Sequence, residues 1–208
     1  MGLLFLGYNW YMDFNRGEKD LIKKLDTPAK VQDYLNSLRF NFEKKGETLM
    51  SPLFVMRSGE AHCFEGALLG AYILSKHGFK PLVLHLQATK EDFDHVVAPF
   101  KQGGLWGAIS KTNHAVLRYR EPVYRDIREL AMSYFHEYFL DTGKKTMRGY
   151  SEPMDMNDFE DGWEVLAGDL WGIDQELDKV KHHKIKIVKL RKADRVEIEA
   201  GKIMEYEK

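Results

Sequence analysis

Cys63-Phe-Glu-Gly-Ala-Leu-Leu-Gly-Ala-Tyr-Ile-Leu-Ser-Lys-His-Gly78 is the stretch that decides the fold. Phe64, Ala67, Leu68, Ala71 and Tyr72 recur at helical spacing and predict one apolar stripe. Gly66 and Gly70 lie one turn apart inside this helix and lower its propensity, so they point to close backbone approach against a sheet. Gly78 supplies the stop. The helix therefore opens at Cys63, the only cysteine of the chain. A thiol at a helix start meets the positive end of the helix dipole, which favours thiolate.

Downstream, Lys80-Pro-Leu-Val-Leu-His-Leu-Gln87 and His95-Val-Val-Ala-Pro-Phe-Lys101 read as strands. Gln102-Gly-Gly-Leu105 turns the chain, and Trp106-Gly-Ala-Ile-Ser110 returns as a third strand. A cysteine opening a helix, followed by a histidine opening a strand, is the layout of a nucleophile and its base. His114–Tyr119 is a short strand or an extended link, and the helical pattern resumes from about Val123 through Ile127, Leu130, Ala131, Tyr134, Phe135 and Tyr138.

Upstream, Thr27-Pro28 reads as an N-cap and first-turn proline of a helix carrying Val31, Tyr34, Leu35, Leu38 and Phe42, closed by Gly46. Residues 1–25, rich in aromatics (Phe5, Tyr8, Trp10, Tyr11, Phe14), are expected to pack as an irregular arm, and residues 50–62 to form a loop. At the other end, residues 141–158 read as a loop and Phe159–Val180 as a helix. Lys184–Leu190 and Arg195–Glu199 alternate as a strand pair does. The expectation is one domain over 1–208, with a core at 27–140 and a C-terminal extension at 141–208.

The 208 residues are 44% hydrophobic and 30% charged, ordinary for a globular protein with a real core. A formal net charge of −1 gives no global field that would draw nucleic acid or an anionic membrane. No apolar run approaches the roughly 20 residues needed to span a bilayer. Met1–Tyr8 is apolar but lacks the basic start and small-residue cleavage site of a signal peptide. A single cysteine excludes an internal disulfide, and a free thiol suits the cytoplasm. The acidic run Asp155–Asp161 fails the EF-hand pattern, because Glu160 holds the glycine position, and it reads as a solvated loop. His182-His183 sits among lysines as an exposed basic segment. No metal or organic cofactor is expected, and thiol chemistry needs none.

Arg57-Ser-Gly59, Ala61-His-Cys63 with its helix, Asp94-His95-Val-Val and Gly104-Leu-Trp106-Gly-Ala-Ile-Ser110, in this order, resemble the transglutaminase-like superfamily. The resemblance covers residues 27–112 and implies an α+β fold: a papain-like core with an antiparallel sheet packed against the helix that starts at the cysteine. It implies a catalytic triad in which Cys63 is the nucleophile and His95 the base. Where the family carries an aspartate to orient the imidazole, this chain has Ser110. Asn113 and Asp126 are the other candidates, and Asp126 also suits the first turn of the following helix.

His62, adjoining the cysteine, is expected to point away from the thiol. His114 is a rival base, and His85 a packed or surface residue of its strand. Glu65 complements the helix start. Trp106 is a candidate cleft wall. The backbone around Arg57, Ser58 and Gly59 is a candidate oxyanion site beside the Cys63 N–H. The implied activity is hydrolysis of an amide or peptide bond through a thioester, on a peptide, protein or small amide. Acyl transfer to an amine and a non-catalytic binding module are the alternatives.

Overall fold

The computed structural model describes residues 12–204. Phe5, Tyr8, Trp10 and Tyr11 lie outside that range. The remainder of the expected irregular arm is largely helical: α1 spans Arg16–Lys24. Its signal is Asn15-x-x-Glu18, a capping box in which each end satisfies the other's backbone N–H. Phe14, just ahead of it, is buried and stacks on Tyr72 with ring centroids 5.1 Å apart.

Helix α2 (Pro28–Ser37) starts as its Thr27-Pro28 signal predicts, and the Thr27 hydroxyl accepts from the Lys30 N–H. It ends well short of Gly46. Leu38 turns extended, and β1 (Arg39–Phe40) pairs in parallel with β2 (Glu60–Ala61). Backbone pairing to that distant segment outcompetes the helix. Between these strands, the expected loop holds α3 (Pro52–Ser58), which starts at Ser51-Pro52 and closes at Gly59 in the left-handed region (φ 69°).

Helix α4 (Cys63–Ser75) begins where the sequence places it. Every residue from Phe64 to Leu74 is buried, so the predicted stripe is in fact a helix enclosed on all sides. Its two glycines permit that. A Cβ on Gly66 would lie 2.3 Å from Lys111 Cβ, and one on Gly70 would lie 2.7 Å from Ile109 Cδ1. The helix thus presses directly on the end of the returning strand.

Strands β3 (Leu82–Gln87), β4 (His95–Gln102) and β5 (Leu105–Ile109) form an antiparallel meander. Gly103 and Gly104, both at positive φ, make the two-residue turn between β4 and β5. Residues 120–124, expected in part as helix, form β6 (Arg120–Tyr124) at the sheet edge, where Pro122 costs no ladder bond. The helix behind them, α5 (Ile127–Met132), is correspondingly short.

The C-terminal segment is built into the same sheet. β7 (Gly149–Ser151) and β8 (Met154–Asp155), in the expected loop, both pair with β3. The expected long helix is only α6 (Trp171–Lys179), preceded by a 3-10 turn at Trp163–Val165. β9 (His182–Lys184) pairs with β7. Arg195–Glu199, expected as a strand, lies in helix α7 (Arg195–Ala200). Asp194 and Glu197 form a capping box there, and these cap bonds override the strand-like alternation.

Among the described residues the sheet has seven strands in the order β6-β5-β4-β3-β7-β9, with β8 beside β3, all antiparallel. The protein is therefore a mixed α/β fold on an antiparallel sheet. Alternate side chains divide between two cores. Val96, Ala98 and Phe100 join the α4 side, while Leu84, Leu86 and Val97 join the side of Leu130, Ala131 and Tyr134.

Candidate active site

Two elements meet at a cleft of about 500 Å³: the start of α4 and the start of β4. Cys63 and His95 both line it. The Cys63 sulfur lies 3.9 Å from the Asp94 carbonyl oxygen, one residue before His95. Burial alone would push the thiol upward, but hydrogen bonds and charge from His62 and His95 outweigh it and hold Cys63 well below an ordinary thiol.

His95 is buried, and its Nε2 lies 3.3 Å from the Ser110 hydroxyl oxygen. The Ser110 O–H donates to the Leu117 carbonyl at 2.7 Å, which leaves an oxygen lone pair for the imidazole. Nε2 therefore carries the proton, and Nδ1 remains for the sulfur. The support is rigid. Gln32 on α2 clamps Ser110 at both backbone groups, accepting from its N–H at 2.9 Å and donating to its carbonyl at 2.8 Å. Leu117 presents its carbonyl from the left-handed region (φ 60°). Glu43, at φ 53°, is the other non-glycine residue so held among those described, and both line the cleft. Nothing in the sequence marks Gln32, because the partner it holds is 78 residues away.

His62 does not point away from the thiol. As N-cap of α4 it has extended backbone, which folds its ring back over the first turn. Its Nδ1 accepts from the Phe64 N–H at 3.2 Å, and its Nε2 reaches the Thr48 carbonyl at 2.8 Å. Burial would lower its pKa. The Cys63 sulfur, the Glu65 carboxylate and the Thr48 carbonyl push the other way and raise it to about 9.

Glu65 does more than complement the helix start. It is fully buried and accepts from the His62 and Met50 N–H groups, the Thr48 hydroxyl and the Asn41 amide. Four converging donors suit a carboxylate, which only accepts. The cluster ties the 41–50 loop to the helix start.

His85 is buried in β3 and belongs to a chain of bonds. Its Nε2 lies 2.9 Å from the Asp94 carboxylate, and its Nδ1 lies 3.1 Å from His182 Nε2. His182 in turn donates from Nδ1 to the Val180 carbonyl at 2.6 Å. The two rings thus form one chain of contacts that runs from the Asp94 carboxylate to the Val180 carbonyl. His85 and the Ala88 N–H outweigh burial and hold Asp94 below the ordinary carboxylate range. His182 is thus part of the frame behind His95, not an exposed basic residue.

The other candidates separate. Asn113 and His114 line the cleft. Asn113 accepts from the Met204 N–H through its backbone, and His114 Nδ1 is committed to the Gly201 carbonyl. Asp126 is exposed, caps α5 through the Glu129 N–H at 2.8 Å, and is absent from the cleft lining. Trp106 lines a different hollow with Phe79 and Phe100, and the Lys101 ammonium sits 5.3 Å from its ring centroid. Gly59 caps α3, and its N–H is taken by the Val55 carbonyl. Arg57 pairs with Glu18, and the Ser58 hydroxyl serves local carbonyls. The α3 end therefore offers no oxyanion site, which leaves the Cys63 N–H, an orphan amide of the helix start.

Among the described residues no group of three or more His, Cys, Asp or Glu side chains is arranged to hold a metal ion, and no helix is long and apolar enough to cross a membrane. No protein-family model matches the chain, and no curated protein matches it.

Proposed function

We propose that the protein is a cysteine hydrolase with a papain-like core of the transglutaminase-like type, cleaving an amide or peptide bond. The observation that carries this is the shared cleft of Cys63, at the start of a buried helix, and His95, whose ring is held by the Ser110 hydroxyl and, through it, by the Leu117 carbonyl. His95 Nδ1 takes the thiol proton. The Cys63 sulfur attacks the carbonyl carbon, and the C=O electron pair moves onto oxygen beside the Cys63 N–H. Collapse expels the amine, which takes the proton from the His95 imidazolium and leaves a thioester. Water then attacks as His95 accepts its proton, releasing the acid and restoring the thiol. An amine in place of that water would make the same site an acyltransferase.

A non-catalytic cleft is the second reading. It rests on Ser110, a neutral hydroxyl where the resembled family has an acid. Acid-quenched intact mass, taken during turnover of activated amides and esters, distinguishes the two. An acyl adduct on Cys63 that vanishes in Cys63→Ala supports catalysis. No adduct with any acyl donor, from a protein whose thiol alkylates normally, supports a binding cleft.

A further inference from the structure

The same cleft carries information about what it takes, and the inference rests on the cysteine hydrolase reading. Phe93 is 92% exposed, two residues before His95, and lines the cleft. Its backbone is fully used, since its carbonyl accepts the Tyr138 hydroxyl at 2.6 Å and its N–H is held by Asp92. Its ring supports nothing in the fold. An aromatic ring held in water beside a nucleophile has lost the burial that ordinarily accounts for it.

A second segment supplies more of the same surface. Phe40 and Phe42 line the cleft, both half-buried, in edge contact with centroids 5.1 Å apart. Glu43, Asp92 and Asp94 line the cleft together with His62, and among the described residues no lysine or arginine does. The volume of about 500 Å³ falls in the range of small-ligand sites, enough for an acyl group and its immediate neighbours.

We infer that the acyl donor of this site bears a large apolar group, aromatic by preference, beside the scissile carbonyl, gripped by Phe93 and the Phe40–Phe42 pair. Donors with a carboxylate at that position are rejected, because desolvating it against aromatic rings supplies no hydrogen-bond donor.

The test measures second-order labelling of Cys63 by N-acetyl aminoacyl fluoromethyl ketones carrying Phe, Leu, Ala or Glu side chains. Iodoacetamide, too small to span the cleft, is the internal reference. The Phe reagent should outpace Ala by at least tenfold, with Leu between and Glu slowest. In Phe93→Ala the Phe-to-Ala ratio should fall about tenfold, as loss of an aromatic contact and its burial implies. Phe42→Ala, whose ring belongs to the other segment, should lower the same ratio. A flat series, or one led by Glu, with rapid iodoacetamide labelling, overturns the substrate class and leaves the Cys–His reading standing. Iodoacetamide labelling no faster than a free thiol at pH 6 would instead overturn the Cys–His reading, and this inference with it.

Discussion

Ser110→Ala separates two jobs that one hydroxyl performs. Its oxygen receives His95 Nε2 at 3.3 Å, at the long end for such a bond, while its proton goes to the buried Leu117 carbonyl at 2.7 Å. A neutral bond of this kind contributes about 0.5–1.5 kcal/mol, so losing the ring contact should slow Cys63-dependent turnover about 2- to 12-fold. Stability should suffer more. A buried carbonyl and a buried ring N–H both lose their partner, each at about 1–3 kcal/mol, and the sum of about 2–6 kcal/mol lowers Tm by about 4–24 °C at this chain length. The assay pairs thermal melting with kcat/KM on an activated amide, or with the Cys63 alkylation rate at pH 6. A well-folded variant slowed 1,000-fold or more would refute the reasoning, because a lone neutral bond cannot supply that much. An unchanged rate with an unchanged Tm would refute it from the other side.

Three further outcomes are expected. Glu65→Gln replaces a carboxylate ringed by four donors with an amide that must turn an N–H₂ toward some of them, and should cost about 2–4 kcal/mol in chemical denaturation. His62 should titrate near 9 by NMR in the wild type and move back toward 6.5 in Cys63→Ala, a coupling of up to about 3 kcal/mol. Because its folded value lies above the ordinary one, its stabilisation is complete below pH 6.5 and lost as pH rises through 9. The Tm gap to His62→Gln should shrink over that interval, and a widening gap would contradict the assignment. Asp126→Ala should cost about 1 kcal/mol as a lost helix cap and leave Cys63 labelling unchanged; slowed labelling would return it to the site.

What could be read from the chain was local. The Cys63 helix, the Gly103-Gly104 turn and the strand opened by His95 each rest on signals within a few residues. So does the placement of Ser110 at the end of the returning strand. The surroundings were not local. Glu65 is explained by donors on residues 41, 48 and 50, and His85 by a histidine 97 residues away. No periodicity records such partners. The errors in element type have a common cause. Residues 195–199 alternate as a strand would, and residues 38–42 continue a helical stripe, yet hydrogen bonds from caps or remote strands decided both. Asn15-x-x-Glu18 and Asp194-x-x-Glu197 were visible capping boxes that hydrophobic spacing alone passes over.

The most direct measurement is the rate of Cys63 alkylation by iodoacetamide from pH 4 to 9, in the wild type and in His95→Ala. A thiolate-like rate that persists well below pH 8 and falls in the variant, which keeps only the share that His62 supplies, is the expected result. An ordinary thiol profile in both proteins would contradict a Cys63–His95 pair poised for acyl chemistry.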